Sequence, residues 1–349
     1  MDRNQRLKLI IHRIHHLSIK QIDDATGVGS IVLGVRHHHD GGSLLVQLAE
    51  QLHHLHTILG IEVTRRLIGK DVLVCFNGRS YLPFCRPPKG YRGLKIYHTM
   101  DYGDNIRASS QALQEEGVQY LMGYCRHDRY SSFFQRFFSA YRDRVIPVPF
   151  GYGARFVNRV PFENRINKCI ALGSVNPVND PLMESSSLAD YVAFYSEYEY
   201  SHPIRKAIVD HLEQWSDCFD SRLPVFPETK NNAYNAVEEL NRYTMFINDE
   251  SIDNFPPART YEGIACGCVM VCTDSPIYAD LGFRDGVNCI MFRKGDYSDM
   301  IQKIRHYIQA PSELEEIQRQ SLILAESYSH SLVAKRLYSE IEKLWENQR

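Results

Sequence analysis

Apolar residues along the chain fall in short runs that alternate with amphipathic and polar segments. The first series starts at residues 31–35, which precede a glycine-rich turn and an amphipathic stretch over residues 44–59. Further apolar runs, each bounded by polar, glycine-rich or proline-rich sequence, lie at residues 71–76, 94–98, 118–122 and 144–148. Such runs are typical of parallel strands that helices cover on both faces. The pattern predicts an α/β fold with a parallel sheet.

A second series begins after residues 150–165, where prolines and glycines interrupt the pattern. Its predicted strands lie at residues 168–173, 191–195, 243–247, 268–272 and 288–292, and its predicted helices at residues 203–215, 257–266 and from Ser298 to the end. We therefore expect two Rossmann-like domains with a cleft between them, where ligands bind at the carboxyl ends of the strands. The expected boundaries are 1–155, 156–330 and, for a C-terminal helix that packs back toward the N-terminal domain, 331–349.

The length of the chain indicates two domains, and its charge argues against a nucleic-acid partner. A chain of 349 residues suits two domains better than one core. Lys and Arg number 40 against 42 Asp and Glu, a formal charge of -2, so no overall basic field attracts nucleic acid. We expect no specific nucleic-acid partner.

The cysteines and the hydropathy indicate a cytoplasmic protein. The nine cysteines are odd in number and several lie inside apolar runs, which predicts buried free thiols in a reducing compartment. Cys266, Cys268 and Cys272 lack the paired spacing of a zinc site. No apolar run approaches the roughly 20 residues that cross a bilayer, and the N-terminus has no apolar signal core.

The most informative segment is residues 253–274, where a predicted helix is followed at once by an apolar strand. Pro257 starts this helix and Gly267 ends it. Because the helix start faces the cleft, its free N–H groups can hold a phosphate. Arg259 and Glu262 lie one turn apart on the same face. They can offer a guanidinium fork to a diphosphate and a carboxylate to the hydroxyl groups of a ribose.

This segment resembles the C-terminal domain of the group-1, family-4-like glycosyltransferases of the GT-B fold, and most closely their spore-maturation branch. That branch carries Arg-x-x-Glu, here from Arg259 to Glu262, followed by an Ala-Cys-Gly turn, here residues 265–267, and an apolar strand. Three other segments resemble the family's interdomain segment, its first C-domain strand with a glycine turn, and its late Asp-Gly turn: residues 145–151 with Phe156, 169–174 and 285–290.

The resemblance implies a donor site formed by Arg259, Thr260, Glu262, Gly263, Asn254, Gly173 and Ser174. The chain departs from the family at two points. Asn254 occupies the position of a glutamate that many retaining members have before Glu262, and Ser174 lies where they often have a basic residue. Other cations can replace that basic residue, although a solvated surface charge is the favoured interpretation of each: Arg205, Lys206 and Lys230.

Polar residues that follow strands of the N-terminal domain are the candidates for catalysis and acceptor binding. His98 and Asp101 follow the strand at residues 94–98; similar enzymes often have a histidine there, for acid–base work or a hydrogen bond to the sugar. A structural histidine is the competing interpretation. We expect residues at the ends of two other strands to line the acceptor side: His39, Gly41, Gly42 and His127.

The implied function is transfer of a sugar from a nucleoside diphosphate sugar, with UDP-sugar favoured, to a hydroxyl acceptor. The acceptor would be a saccharide, a lipid-linked compound or a small molecule, in polysaccharide, lipid-linked glycan or natural-product biosynthesis. The resemblance implies retention of configuration. No Asp-x-Asp pair occurs in the sequence, which favours a reaction without a metal, and we expect no other cofactor.

The pattern of residues 3–20, within a predicted helical extension over residues 1–28, predicts a basic amphipathic helix. The favoured interpretation is a helix packed on its own domain or on a partner. The alternative is peripheral contact with the inner face of an anionic membrane, which suits a lipid-linked acceptor.

Three alternative functions on the same fold stay open. A nucleotide-sugar 2-epimerase or hydrolase binds the same donor without an acceptor, and would use His98, Asp101 and Asp128 for proton transfer. A DNA-base glucosyltransferase is disfavoured by the near-neutral charge. A catalytically idle binding module is consistent with Asn254 in place of the glutamate.

Overall fold

The structure is a computed structural model that describes residues 92–99, 103, 105–179, 188–228 and 234–347, together with the backbone of residues 72–76. All of these residues belong to one compact unit, Lys70–Arg349. The elements predicted at residues 3–20, 31–35 and 44–59 lie outside the described residues.

The first half of this unit contains a four-stranded parallel sheet. Its strands lie side by side in chain order: β1 (Val72–Phe76), β2 (Leu94–His98), β3 (Tyr120–Gly123) and β4 (Val145–Pro147). The helices described here are α1 (Ile106–Glu115), α2 (His127–Tyr130) and α3 (Ser132–Phe137). Side chains such as Ile96 and Leu121 are fully buried, which is why the apolar runs predicted these strands correctly.

The second half contains a five-stranded parallel sheet in the order β6-β5-β7-β8-β9. The strands are β5 (Ile166–Leu172), β6 (Phe219–Arg222), β7 (Tyr243–Ile247), β8 (Val269–Thr273) and β9 (Ile290–Phe292). From β5 the chain runs outward to β6 and then returns to β7 on the other side of β5. The strand order therefore reverses between β5 and β7, and open α/β sheets bind ligands at such a switch point.

Helices cover both faces of the second sheet. They are α4 (Ala189–Phe194), α5 (Pro203–Asp210), α6 (Ala236–Arg242), α7 (Arg259–Ala265), α8 (Pro276–Asp280), α9 (Tyr297–Gln309), α10 (Pro311–Glu326) and α11 (His330–Glu346). Side chains along β7 alternate between two cores: Met245 packs in the core that includes Ile208 of α5, and Phe246 in the core that includes Ile264 of α7. The predicted α/β class with parallel sheets is confirmed.

The predicted buried thiols are also found wherever the side chain is described. All seven cysteines in question are buried and unbridged, and they are Cys125, Cys169, Cys218, Cys266, Cys268, Cys272 and Cys289.

The strand predicted at residues 191–195 is wrong, because this segment forms helix α4 and the turn after it. Tyr191, Phe194 and Tyr195 recur at helical spacing, and their rings lie 5.4, 5.2 and 5.5 Å from the ring of Phe133. Phe133 belongs to the apolar core of the first sheet. The aromatic run therefore joins α4, which follows β5 in the chain, to the first half of the unit.

Three further differences concern helix ends and a short strand. The apolar pattern missed β6 because its sequence, Phe-Asp-Ser-Arg, is short and polar. The helix predicted over residues 203–215 ends as α5 at Asp210. The helical sequence from Ser298 is divided into α9, α10 and α11. Of the described helices, none combines the length and apolar character needed to cross a membrane.

Candidate functional site

Polar residues gather at the switch point of the second sheet. Gly173 and Ser174 follow β5, and Asn248, Asp249 and Glu250 follow β7 on the other side of the reversal. These strand ends form the edge at which a ligand of an open α/β sheet binds.

The glycine turn after β5 accommodates the side chain of Arg205. Gly173 has φ 133, and a Cβ atom at this position would lie 2.6 Å from Nη1 and 2.7 Å from Cζ of Arg205. Nη1 of Arg205 also donates a hydrogen bond to the backbone oxygen of Ser174, at 3.2 Å. The half-buried guanidinium thus lies directly against the turn, and the favoured interpretation of Arg205 as a solvated surface charge is wrong.

Lys206, the next residue on α5, has a different environment. Its Nζ forms an ion pair with Asp210 one turn along the helix and lies 5.0 Å from the ring centroid of Tyr200. Lys230 lies outside the described residues.

Arg259 is the first residue of α7 and is half-buried. Its Nη1 donates to the hydroxyl of Tyr234 at 2.9 Å, and its Cζ lies 5.7 Å from the centroid of that ring. Among the described residues its buried Nε has no hydrogen-bond partner. The contact with Tyr234 was not predicted, since Tyr234 precedes α6 in the chain.

Arg205 and Arg259 converge on the same region. Burial lowers the pKa of Arg205; Asp249 raises it, the positive charge of Arg259 lowers it further, and Tyr234 raises it. Within the described residues, neither guanidinium forms an ion pair with a carboxylate. Two guanidinium groups that are close enough to interact, and that form no ion pair there, are suited to bind a dianion such as a diphosphate.

The first turn of α7 differs from the prediction. The N–H groups of Thr260, Tyr261 and Glu262 donate to the carbonyl oxygens of Pro257 and Ala258, at 3.0 to 3.2 Å. They are not free to hold a phosphate, because Ala258 already has helical backbone angles and the helical bonds start one residue before Arg259.

The two faces of α7 have separate roles. Arg259 and Glu262 are half-buried, and every other residue of the helix is buried. Thr260 accepts a hydrogen bond from Asn248 at 2.9 Å, and a Cβ at Gly263 would lie 2.3 Å from the ring of Phe246. Thr260 and Gly263 therefore hold the helix on the sheet, whereas Arg259 and Glu262 present their side chains together, as their spacing predicts.

Asn254 connects the loop after β7 to the first half of the unit. Its backbone is left-handed, with φ 57, and its Nδ2 donates to the backbone oxygen of Tyr130 in α2 at 2.8 Å. Its Oδ1 accepts from Nζ of Lys294 at 3.1 Å. Both ends of the amide are engaged, and a glutamate here would lose the donor that bonds the Tyr130 carbonyl.

Glu250 is a buried carboxylate that the sequence reasoning missed, although it directly follows an apolar strand. It accepts hydrogen bonds from Thr273 and, at 3.2 Å, from Tyr278, and its Oε1 lies 3.4 Å from Nζ of Lys294. Burial raises its pKa, while Lys294 acts in the opposite direction. These contacts tie together the carboxyl ends of β7, β8 and β9.

His98 and His127, both at ends of strands in the first sheet, are buried. His98 is 1% exposed and lies edge-on to Tyr124 at 5.8 Å between ring centroids. Burial, with a contribution from His127, lowers the pKa of His98 to about 3. The imidazole is therefore neutral near pH 7 and can act as a hydrogen-bonding group but not as a cationic acid.

His127 lies inside the packing of the first half. Its Nε2 accepts from the backbone N–H of Tyr124 at 3.1 Å, and its Nδ1 lies 3.5 Å from Sγ of Cys125. Burial lowers its pKa to about 3. With 0% exposure, its ring is out of reach of an acceptor in this conformation.

Asp128, the remaining acid–base candidate, is also held by structural contacts. It forms a 2.6 Å ion pair with Arg126 and accepts from the backbone N–H of Asp143 at 2.9 Å. Four predicted site residues, His39, Gly41, Gly42 and Asp101, lie outside the described residues. In the described ranges no cluster of three or more His, Cys, Asp or Glu side chains has the geometry to hold a metal.

Residues 207–337 match the model of a protein family described as glycosyl transferase-like. The match includes β6 to β9 and the helix that carries Arg259 and Glu262. The prediction of a glycosyltransferase is confirmed at the level of this domain. No curated protein matches the chain.

Several solved structures are similar to the chain. The match to a glycosyltransferase from Rickettsia africae covers 88% of this chain and 84% of that chain, with 12% identity and a TM-score of 0.46. The match to sucrose-phosphate synthase from Thermosynechococcus elongatus covers 85% of this chain and 79% of that chain, with 8% identity and a TM-score of 0.48. That to HepE from Anabaena, in complex with UDP, covers 72% of each chain, with 12% identity and a TM-score of 0.44. At this level of similarity the ligands of this chain must be inferred from its own side chains.

Proposed function

We propose that this protein transfers a sugar from a nucleoside diphosphate sugar to a hydroxyl acceptor, and that Arg205 and Arg259 bind the donor diphosphate. The observation that carries this proposal is that the Arg205 guanidinium lies against the Gly173 turn and close enough to Arg259 for their charges to interact, while neither guanidinium forms an ion pair with a carboxylate among the described residues. Glu262, half-buried on the same face of α7 as Arg259, binds the ribose hydroxyl groups.

The chemistry of transfer explains why cations are needed at this place. The acceptor hydroxyl oxygen forms a new bond to the anomeric carbon, and the bond from that carbon to an oxygen of the β-phosphate breaks. The diphosphate leaves with the electron pair of the broken bond and takes up the proton that the acceptor hydroxyl releases. Negative charge grows on the leaving group, and two preorganised guanidinium groups stabilise it without moving. Their half-buried position strengthens this interaction relative to water.

His98 contributes a neutral imidazole at the first sheet. Because its pKa is lowered to about 3, it does not deliver a proton as a cation, and at 1% exposure it exchanges a hydrogen bond with a sugar hydroxyl only if the packing around it opens. Asn254 holds α2 through the Tyr130 carbonyl, so it contacts the donor sugar only if that bond opens.

The finer features of the proposal follow the family resemblance. We assign the donor to residues 156–330 and the acceptor to residues 1–155, in the spore-maturation branch, with UDP-sugar as the first donor class to test. The reaction retains configuration and needs no metal. Proton NMR of the product anomer and activity in excess EDTA test these two features. Incubation of the donor without acceptor tests the alternative 2-epimerase or hydrolase, which would convert it.

Acceptor and location are part of the same proposal. A saccharide or lipid-linked acceptor is consistent with peripheral membrane contact through residues 3–20 on the cytoplasmic face. Co-sedimentation with anionic liposomes tests this contact, and absence of binding would remove it.

Calorimetric titration with UDP tests the diphosphate assignment. Arg205→Ala and Arg259→Ala should each weaken binding by at least about tenfold, since each removes a charged hydrogen-bond donor to the phosphates. Lys206→Ala is the matched control, because it removes the neighbouring cation of α5, which is already paired with Asp210. Folded variants of both arginines with unchanged UDP affinity would contradict the assignment.

A further inference from the structure

Asp249 is a buried carboxylate at the end of β7, on the side of the switch point opposite Gly173. Its Oδ2 accepts from the backbone N–H of Arg205 at 3.2 Å, and its Oδ1 accepts from the backbone N–H of Ser251 at 2.9 Å. Nδ1 of His202 lies 3.6 Å from Oδ1. No ion pair joins this carboxylate to a guanidinium among the described residues, so its direct contact with Arg205 is to the main chain.

The start of α5 lacks a local cap. His202 occupies the N-cap position without a side-chain cap bond, and Pro203, the first helical residue, has no N–H. The first turn of a helix leaves N–H groups that need an outside acceptor. Asp249 supplies that acceptor from a different strand, which fastens the first turn of α5 to the end of β7.

Two hydrogen bonds hold Arg205 in place. Asp249 holds its main chain, and the carbonyl of Ser174 holds its guanidinium at the glycine turn, at 3.2 Å. Arg205 therefore connects the end of β7, through its main chain, to the end of β5, through its guanidinium. If α5 moved away from β7, the guanidinium would be drawn off the Gly173 turn.

We propose that Asp249 is a positioning residue that acts through Arg205, and that it sets the place of this guanidinium for the donor diphosphate. The inference rests on the proposed function of Arg205. Asp249 is not a ligand itself, because a carboxylate repels a diphosphate.

The negative charge of Asp249 and its hold on Arg205 should affect diphosphate binding in opposite directions. Burial acts to raise the pKa of Asp249, but the hydrogen bond and charge of His202, the positive charge of Arg205 and the N–H of Ser251 keep it low, so the residue is anionic beside an anion site. Through its charge alone Asp249 would weaken binding of a diphosphate. Its removal should weaken binding only if its geometric effect on Arg205 is the larger one.

A double-mutant cycle with UDP tests the inference. Asp249→Ala should lose about tenfold in affinity, since a displacement of about 1 Å is enough for such losses. In the Arg205→Ala background the same change should cause no further loss, because the group that it positions is already gone. The matched control is the same cycle with Arg259→Ala. In that background Asp249→Ala should still lower the UDP affinity by the full tenfold.

The outcomes separate the two proposals. Equal losses in all backgrounds, or no loss in any, would overturn the role of Asp249. Unchanged affinity in Arg205→Ala alone would instead overturn the proposed function of Arg205.

A second variant keeps the test decisive if Asp249→Ala fails to fold. Asp249→Asn retains an acceptor oxygen for the N–H of Arg205 and removes the negative charge, so UDP affinity should stay equal or rise. A loss as large as that of Arg205→Ala would show that charge, not position, is what Asp249 provides, and would overturn the inference.

Discussion

The carboxyl edges of the two sheets both carry polar residues, but in opposite environments. At the second sheet Arg205, Arg259 and Glu262 are half-buried, and neither arginine forms an ion pair with a carboxylate among the described residues. At the first sheet His98 and His127 are 1% and 0% exposed, and the ring nitrogens of His127 lie close to its neighbours. A polar residue after a parallel strand thus indicates the ligand-binding edge of a sheet, but exposure decides which residues contact the ligand.

The side chains at the two sheets also differ in charge. At the second sheet, the half-buried guanidinium groups of Arg205 and Arg259 form the half of the site that would bind the diphosphate. At the first sheet, burial lowers the pKa of both histidines to about 3, so both imidazoles are neutral near pH 7.

The largest expected effect comes from the buried face of α7. In Gly263→Val the new side chain would begin with a Cβ 2.3 Å from the Phe246 ring. We expect the free energy of unfolding, measured by urea denaturation, to fall by about 3 kcal/mol. Glu262→Ala, the adjacent change at a half-buried position, should lower it by no more than about 1 kcal/mol. Equal losses would contradict the division of this helix into two faces.

The next largest effect concerns the half-buried face of α7, which carries Arg259 and Glu262. Glu262→Ala should weaken UDP binding by about 2 kcal/mol, or about thirtyfold, because the ribose hydroxyl groups lose a charged acceptor. Inorganic pyrophosphate, which has no ribose, should bind the variant as it binds the wild type. Calorimetry with both ligands checks this; a parallel loss for pyrophosphate would place Glu262 elsewhere in the site.

The buried histidines should be visible in the pH dependence of stability. The pKa of His127 is 6.5 in the unfolded chain and about 3 in the folded protein, so between these values the unfolded state binds more protons. Stability should therefore fall as the pH drops below 6.5, by up to about 1.4 kcal/mol per pH unit for this group.

Removing the titrating ring isolates this contribution. His127→Gln should flatten the acid side of the stability profile, measured by urea unfolding from pH 7 to 5, and leave UDP affinity at pH 7 unchanged. An unaltered slope would mean that His127 is not held neutral by burial.

The smallest effect tests the glycine turn. Gly173→Ala should weaken UDP binding by about fivefold, or about 1 kcal/mol, because its Cβ would displace the Arg205 guanidinium. Gly295→Ala is the matched control, since Gly295 also has a positive φ, 82, but nothing within 4 Å of its added Cβ. Both variants carry backbone strain. A similar change in UDP affinity for both would assign the effect to that strain.

Much of the fold was predictable because burial on both faces leaves a clear trace in the sequence. The strands that became β7 and β8 are entirely buried and apolar, and their runs were identified nearly to the residue. The segment at residues 191–195 misled because its aromatic residues, read as a strand, pack on Phe133 from a helix. Short apolar runs do not by themselves distinguish these two structures.

The site was predictable only where its residues share one element. Arg259 and Glu262 lie one turn apart on α7, so their spacing shows that they share a face. Arg205 lies on a different helix and reaches the site through contacts with Gly173 and Ser174. Such tertiary contacts are absent from local spacing, and a lone arginine on an amphipathic helix is usually a surface charge.

A crystal structure of the protein with UDP tests the central claim most directly. We expect the diphosphate at the β5–β7 switch point, with phosphate oxygens within hydrogen-bonding distance of the guanidinium groups of both Arg205 and Arg259, and with the ribose hydroxyl groups on Glu262. UDP bound elsewhere, or at this edge with neither arginine in contact with a phosphate, would contradict the account.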